Sequence, residues 1–300
     1  MTPPTPTIPG FATDRVQVAD GVALHVAHGG SGSPVVLLHG FPQTHLMWRH
    51  VATRLAEEHT VICPDLRGYG DSDKPVADAP DTYAKRVMAA DVVALAAALG
   101  HERFALVGHD RGALVAIRAG LDHPDVVTHL ASLDVLPTLD TWDILHGASA
   151  AVAWHLYLMA QPPGLPEQAI AASADAFFGS FLDAWVRDPA AIPDDVRGVY
   201  LRASREAVPS IVADYRASAG VDLEHDLADR AAGRTLRGPV SVLQQDWGAA
   251  LGFDARSRWS AWAPDLVHAT VDAGHFMAEE APDVVVDAVR ALLRRPPATA

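Results

Sequence analysis

The feature that most constrains this chain is the pentapeptide Gly108-His109-Asp110-Arg111-Gly112, which follows a short apolar run at residues 104–107 and opens a helical stretch at residues 111–122. Glycines two positions either side of a central residue permit a strand-to-helix turn so tight that a Cβ at either place would clash. The central side chain is then held, strained, at the carboxyl edge of a sheet and aimed at whatever lies above it. Here that residue is Asp110. A carboxylate is already ionised near pH 7 and is favoured by the helix N-terminus behind it, so it can attack carbon directly. In isolation the same pentapeptide could be a plain strand–turn–helix joint with an aspartate N-cap. The rest of the chain decides between the two.

Three further features stand in the order that such a turn requires. His39-Gly40-Phe41-Pro42 comes directly after the apolar run at 34–38, where a main-chain N–H would complete an oxyanion hole together with the N–H of the residue after the nucleophile. The donors assigned in this way are Phe41 and Arg111, both acting through backbone. Asp272-Ala273-Gly274-His275-Phe276 follows the last strand-like run, and His275 there is in the place of a general base. With 15 histidines in the chain an ordinary surface histidine is the competing explanation; position after the final strand, with Gly274 giving backbone room, argues against it. The third member must accept the other ring proton of His275. Asp134 is the preferred candidate, because between Leu133 and Val135 at a strand end a charge is costly without a purpose. Asp246, after the next strand, is the alternative.

Around these motifs the pattern alternates. Residues 15–27 read as a hairpin about Asp20-Gly21, residues 34–38 and 60–63 as buried strands, 47–57 and 83–99 as helices, 104–107 and 126–133 as strands, and 111–122 as a helix. Strands alternating with helices imply an α/β fold with a mostly parallel, doubly wound sheet. From about 136 to 237 no convincing strand occurs; strand character returns at 239–244 and 266–271, before a terminal helix at 282–293. The expected organisation is therefore a core of residues 1–136 and 238–300 with an inserted helical lid, or cap, of residues 137–237.

Composition removes whole classes of function. A net charge of −14 leaves no basic stripe to neutralise phosphates, so no nucleic-acid partner is expected, and an anionic substrate would need local cations. The loop at 64–73 superficially resembles a phosphate cradle, but its acids would repel phosphate. One cysteine, Cys63, allows no internal disulfide and no cysteine-pair zinc site, and it reads as a small core residue. No stretch approaches the roughly 18 apolar residues of a membrane span, and residues 1–10 have neither a basic nor an apolar region like those of a signal peptide. A cytoplasmic location is the default expectation. Residues 1–10 and the tail at 296–300 read as flexible.

The motifs HGFPQTHLMW, DLRGYGDSDKP, GHDRGA, LDVLPT and DAGHF, in this order from about residue 8 to 295, resemble the fluoroacetate (haloacetate) dehalogenases of the α/β-hydrolase superfamily. The subfamily resemblance rests mainly on arginine after the nucleophile and on the fragments WHLYLMAQP and DYRA. It implies an α/β-hydrolase fold, no cofactor and no metal, a small-molecule substrate and a homodimer. Asp110 would displace halide to give an ester, and His275, oriented by Asp134, would activate water to hydrolyse it. The Arg111 guanidinium would hold a substrate carboxylate, and His155, with Trp154 beside it, would meet the departing halide. Two positions depart from the family: Leu114 stands where a second arginine is expected, and Leu156 where a tryptophan is. With donors replaced by apolar surface, the resemblance implies a 2-haloacid dehalogenase that is poor on fluoroacetate. A competing enzyme reading is an epoxide hydrolase, with Tyr215, and Tyr157 nearby, as proton donors to the opening oxygen; Tyr157 and Tyr215 could instead simply fasten helices of the lid. A non-catalytic binding protein that keeps this cavity is the remaining alternative.

Overall fold

A computed structural model of the chain describes residues 6–247 and 251–297. The expectations for the first ten residues and for the tail therefore fall partly outside the described residues. Among the described residues eight strands form one sheet in the order β1-β2-β4-β3-β5-β6-β7-β8. Their ranges are β1 Ala12–Ala19, β2 Val22–Gly30, β3 Ser33–Leu38, β4 His59–Pro64, β5 Phe104–His109, β6 Val127–Leu133, β7 Val240–Gln244 and β8 Leu266–Thr270. β1 and β2 form the antiparallel hairpin, β2 pairs antiparallel with β4, and every other pairing is parallel.

The central strands are short and almost wholly apolar because both of their faces are covered. Period-two alternation sorts their side chains into two cores. Val36, Leu38, Ile62 and Leu106 pack on one face with helices α2 (Lys85–Ala98) and α3 (Arg111–Asp122). Val35, Leu37, Val61, Cys63 and Val107 pack on the other with α1 (Arg49–Leu55) and the terminal helix Pro282–Leu293. Cys63 is a fully buried core residue, as its setting implies. The helix expected over 47–57 is a 3₁₀ turn, His45–Trp48, followed by α1. Thr44 caps that turn by accepting the Leu46 N–H, and burial of Leu46, Met47 and Trp48 sets its tighter geometry against the sheet.

Strand order reverses at β3, which has β4 on one side and β5 on the other. In open α/β sheets the carboxyl ends at such a reversal form a crevice, and here they carry the His39–Pro42 loop and the Asp110 turn. Between β6 and β7 the described residues contain only helices and connections: α4 Thr138–Ile144, α5 Trp154–Met159, α6 Leu165–Ala171, α7 Ala174–Ala184, α8 Asp194–Glu206, α9 Val208–Ala219 and α10 Val221–Ala231. In α8, Asp194 and Asp195 lie in the first turn and Arg205 in the last, each complementing the helix dipole. No helix among the described residues is long and apolar enough to cross a membrane.

Candidate active site

Asp110 adopts φ 48° and ψ −117°, a region that non-glycine residues rarely occupy, at a cost of about 1–3 kcal/mol. Close packing beneath the turn keeps it there: a Cβ on Gly112 would lie 2.4 Å from the carbonyl oxygens of Leu38 and His39, and one on Gly40 would lie 2.5 Å from the Asp110 Cβ. The Asp110 N–H donates to the Leu133 carbonyl at 3.1 Å, and the Asp134 N–H to that of Leu243 at 2.8 Å, so the carboxylates cap adjacent strands β5 and β6. Asp134 too has positive φ, 53°.

Of the two expected main-chain donors, the Phe41 N–H donates to Asp110 Oδ1 at 2.7 Å; no such bond from the Arg111 N–H is found among the described residues. Asp110 Oδ2 lies 3.9 Å from His275 Nε2, too far for a hydrogen bond, and that nitrogen is buried without a partner. The other ring nitrogen, Nδ1, is 2.7 Å from Asp134 Oδ2. The geometry thus joins His275 to Asp134. Asp246, the other acid considered, lines the same cavity. Gln245, which has no obvious signature beyond its place just after β7, donates to Asp134 from its main chain at 2.8 Å and from its side chain at 2.7 Å. Burial works against a charged His275, but its bond to Asp134 and the charges of Asp134, Asp110 and Glu280 outweigh it and raise the pKa above the usual 6.5.

Above these groups is a cavity of about 640 Å³. Leu114, Leu136, Leu156 and Trp185 give it apolar walls; Arg111, His155 and Tyr215 supply its polar points. His155 stacks on Phe41, with ring centroids 6.2 Å apart and planes 9° from parallel. Burial pushes the His155 pKa down to about 3, so it is a neutral imidazole with one N–H to offer. Tyr215 packs edge-on to Phe41 and His155, and burial together with the Asp110 charge raises its pKa, keeping the hydroxyl protonated as a donor.

Two expected contributors stand differently. Trp154 is not in the cavity wall: it is 46 % exposed and stacks on Phe181, because one residue along a helix turns a side chain by about 100° and α5 points His155 inward instead. Arg111 reaches the cavity but is not a free fork. Its Nε donates to Asp214 Oδ2 at 2.8 Å and its Nη2 to the Asp214 carbonyl at 3.0 Å, while Nη1 makes only a 3.5 Å contact to Ser218. Asp214 also binds Lys85 and accepts from the Tyr69 hydroxyl at 2.6 Å. Despite complete burial, Arg111 and Lys85 hold the Asp214 carboxyl well below the usual carboxylate range. A substrate carboxylate would therefore meet only the outer edge of Arg111, whose charge is already shared. Tyr157 lies outside this group; its hydroxyl donates to the Leu145 carbonyl at 2.7 Å and fastens α5 to the end of α4.

His25, His45 and Asp65 form the one group among the described residues that brings three potential metal ligands together. Asp65 there already accepts from the His45 N–H, the His45 ring and the Asp71 N–H, at 2.8–2.9 Å, and so serves as the hub that folds the 65–73 loop.

The family model described as alpha/beta hydrolase fold matches residues 33–282. A fluoroacetate dehalogenase from Burkholderia sp is 38 % identical over 295 residues, 95 % of this chain and 94 % of that protein. A soluble epoxide hydrolase from Corynebacterium sp. (strain C12) is 32 % identical over 281 residues, covering 92 % and 95 %. Among solved structures, an α/β hydrolase from Nostoc sp PCC 7120 superposes with a TM-score of 0.91 at 36 % identity, covering 96 % of this chain and all of that one.

Proposed function

Because the chain belongs to the α/β-hydrolase fold family, we propose that it is a hydrolase that cleaves a carbon–halide bond through a covalent ester on Asp110, acting on 2-haloacids larger than haloacetate and only poorly on fluoroacetate. The observation that carries this reading is the division of labour on one carboxylate: Oδ1 accepts the Phe41 N–H while Oδ2 is turned toward His275. Oδ2 would attack the substrate carbon as halide leaves with the bonding pair. Water would then add to the Asp110 carboxyl carbon, giving its proton to His275 Nε2, while the negative charge develops on Oδ1 beside the Phe41 N–H. Collapse breaks the bond between the Asp110 carboxyl carbon and the former Oδ2, which leaves in the 2-hydroxy acid after taking the proton from His275. The Asp110 carboxyl, now carrying the water's oxygen, loses its remaining proton to solvent. Asp134 accepts the hydrogen bond from Nδ1–H throughout, leaving Nε2 as the base.

The second step requires neutral His275, and the first does not. Ester hydrolysis should therefore rise with pH through the raised pKa of His275 and then level, whereas ester formation stays flat over the same interval. Esterification removes the Asp110 charge, one of the charges raising that pKa. The limb for hydrolysis should accordingly fall below the pKa of His275 titrated by NMR in the free protein. A pH-dependent first step with a flat second step would contradict the assignment.

The cavity supports a reading of substrate size and leaving group. A volume near 640 Å³ lies in the range of pockets holding drug-sized ligands, about 300–1,000 Å³, and far exceeds what a two-carbon acid fills. Fluoride needs the most hydrogen-bond help to depart, and Leu156 supplies none; Leu114 withdraws a second cation from the carboxylate, a loss common to all haloacetates. Each missing charge-assisted bond costs about 1.5–3 kcal/mol, and about 1.4 kcal/mol is a factor of ten in rate. Bromoacetate should exceed fluoroacetate in kcat/KM by at least about a hundredfold, a longer 2-bromoacid should match or exceed bromoacetate, and Leu114→Arg with Leu156→Trp should narrow the halide gap. Efficient defluorination by the unaltered protein would overturn this part of the reading.

One observation favours a second reading, epoxide hydrolysis by the same nucleophile. Tyr215 and His155 line the same cavity as Asp110, and a hydroxyl or imidazole donor there could protonate an opening oxygen. Styrene oxide in the same substrate panel distinguishes the two.

A further inference from the structure

We infer that Glu280 is a positioning residue for ester hydrolysis, tying residues 185–188 of the helical insertion to the Gly274-His275 loop and so holding the base in register with Asp110; the inference rests on the ester mechanism above.

Glu280 ends the short helix Met277–Glu280, five residues after His275. Its Oε2 accepts three main-chain N–H groups: Arg187 at 2.8 Å, Asp188 at 3.1 Å and Gly274 at 3.2 Å. Two of these donors belong to the insertion and the third adjoins the base. A second tie runs alongside, the His275 N–H donating to the Trp185 carbonyl at 2.9 Å. The approach is as close as the chain permits, since a Cβ on Gly274 would lie 2.4 Å from Glu280 Oε1 and 2.6 Å from the Trp185 carbonyl oxygen. Trp185 also packs its indole edge-on against the His275 ring, centroids 4.9 Å apart. On its other side the His275 carbonyl is 2.8 Å from His109 Nε2, within the Asp110 turn. The main chain of the base is thus suspended between the nucleophile turn and the insertion, and Glu280 fastens the insertion's end of that suspension.

The two chemical steps should feel its loss unequally. Attack on carbon uses Asp110, which the turn holds by itself. Ester hydrolysis needs Nε2 beside the water that attacks, and displacement of a reacting group by about 1 Å can cost a hundredfold. The insertion supplies cavity walls through His155, Leu156 and Tyr215, so contacts made there by a bound substrate bear on the position of His275 through this clamp.

Rapid-quench measurement of ester formation and ester hydrolysis with bromoacetate, in Glu280→Ala and Glu280→Gln, tests the inference. Glu280→Ala should slow hydrolysis by about tenfold or more with formation within about twofold, so that ester accumulates. Glu280→Gln keeps one acceptor oxygen and should recover most of the loss. It should also move the acid limb of hydrolysis to lower pH, because Glu280 is one of the three acids, with Asp110 and Asp134, whose charge raises His275. The other titratable groups facing the ring, His109 and His155, are held neutral by burial, and Arg187 on the adjoining segment is paired with Asp272. Equal slowing of both steps by Glu280→Ala would mean a structural role only and overturn the inference, as would an unmoved limb in Glu280→Gln, which decides the matter if Glu280→Ala fails to fold. Ester formation with unchanged partitioning would refute Glu280 alone; no ester in any variant would refute the underlying mechanism with it.

Discussion

Asparagine in place of Asp110 should lower turnover by on the order of 10⁴-fold or more with every substrate, while leaving the fold and its thermal transition nearly intact. An amide of the same shape can still accept the Phe41 N–H through its oxygen, so the strained turn loses little of its support. It cannot attack carbon, because its second terminal atom is an amide nitrogen whose lone pair is delocalised. The remaining groups, His275, His155 and Tyr215, do not form a substitute nucleophile–base pair, since the His275 Nδ1 is committed to Asp134 and the His155 imidazole is held neutral in an aromatic nest of Phe41, Phe181 and Trp185. Steady-state release of halide or diol, measured against the parent protein, checks this. Substantial turnover by the asparagine variant would move the chemistry away from Asp110.

Asparagine at 134 should be almost as damaging overall, yet through one step only. Asp134 accepts from Gln245 twice and from His275 once. The Gln245 main-chain N–H bonds Oδ1 while its side chain and His275 Nδ1 both bond Oδ2, so an amide that keeps its oxygen toward the main-chain N–H turns its NH₂ toward His275 Nδ1, itself a donor in the working tautomer. The ring relieves that conflict by moving its proton to Nε2, where the base has to be free. Loss by this route is on the order of 10³–10⁴-fold in ester hydrolysis, with ester formation reduced by about tenfold at most. Asp246→Asn should be mild by comparison, since the ring nitrogen bonds Asp134. Single-turnover kinetics that reversed this ranking would assign the acid to the β7 end.

The parts of this site that were legible in the sequence share a cause. Asp110 and Asp134 directly follow the short apolar strands β5 and β6, while Phe41 and His275 lie three and five residues beyond the ends of β3 and β8, and a parallel sheet gathers such positions at one edge. Helices Arg111–Asp122 and Pro282–Leu293 were readable to their ends because glycine, histidine and proline mark them. What stayed hidden depends on contacts between distant segments. Asp214 meets Arg111 across about a hundred residues, Gln245 reaches back to Asp134, and Glu280 reaches back to Arg187, and no local pattern encodes such pairs. Trp154 shows another limit: it adjoins His155 in the sequence, yet one residue along a helix turns it from the cavity to the surface. Arg111 lines the cavity, but the share of its guanidinium taken by Asp214 is a property of the folded insertion.

The most direct test of the account is the mass of the His275→Ala protein after reaction with bromoacetate. The base is absent while Asp110, the Phe41 N–H and the cavity remain, so the ester should form and persist. The intact protein should gain the mass of one carboxymethyl group, the peptide carrying it should contain Asp110, and the Asp110→Asn/His275→Ala protein should gain nothing. An unmodified mass alongside retained turnover, or a label on any residue other than Asp110, would contradict the covalent ester mechanism.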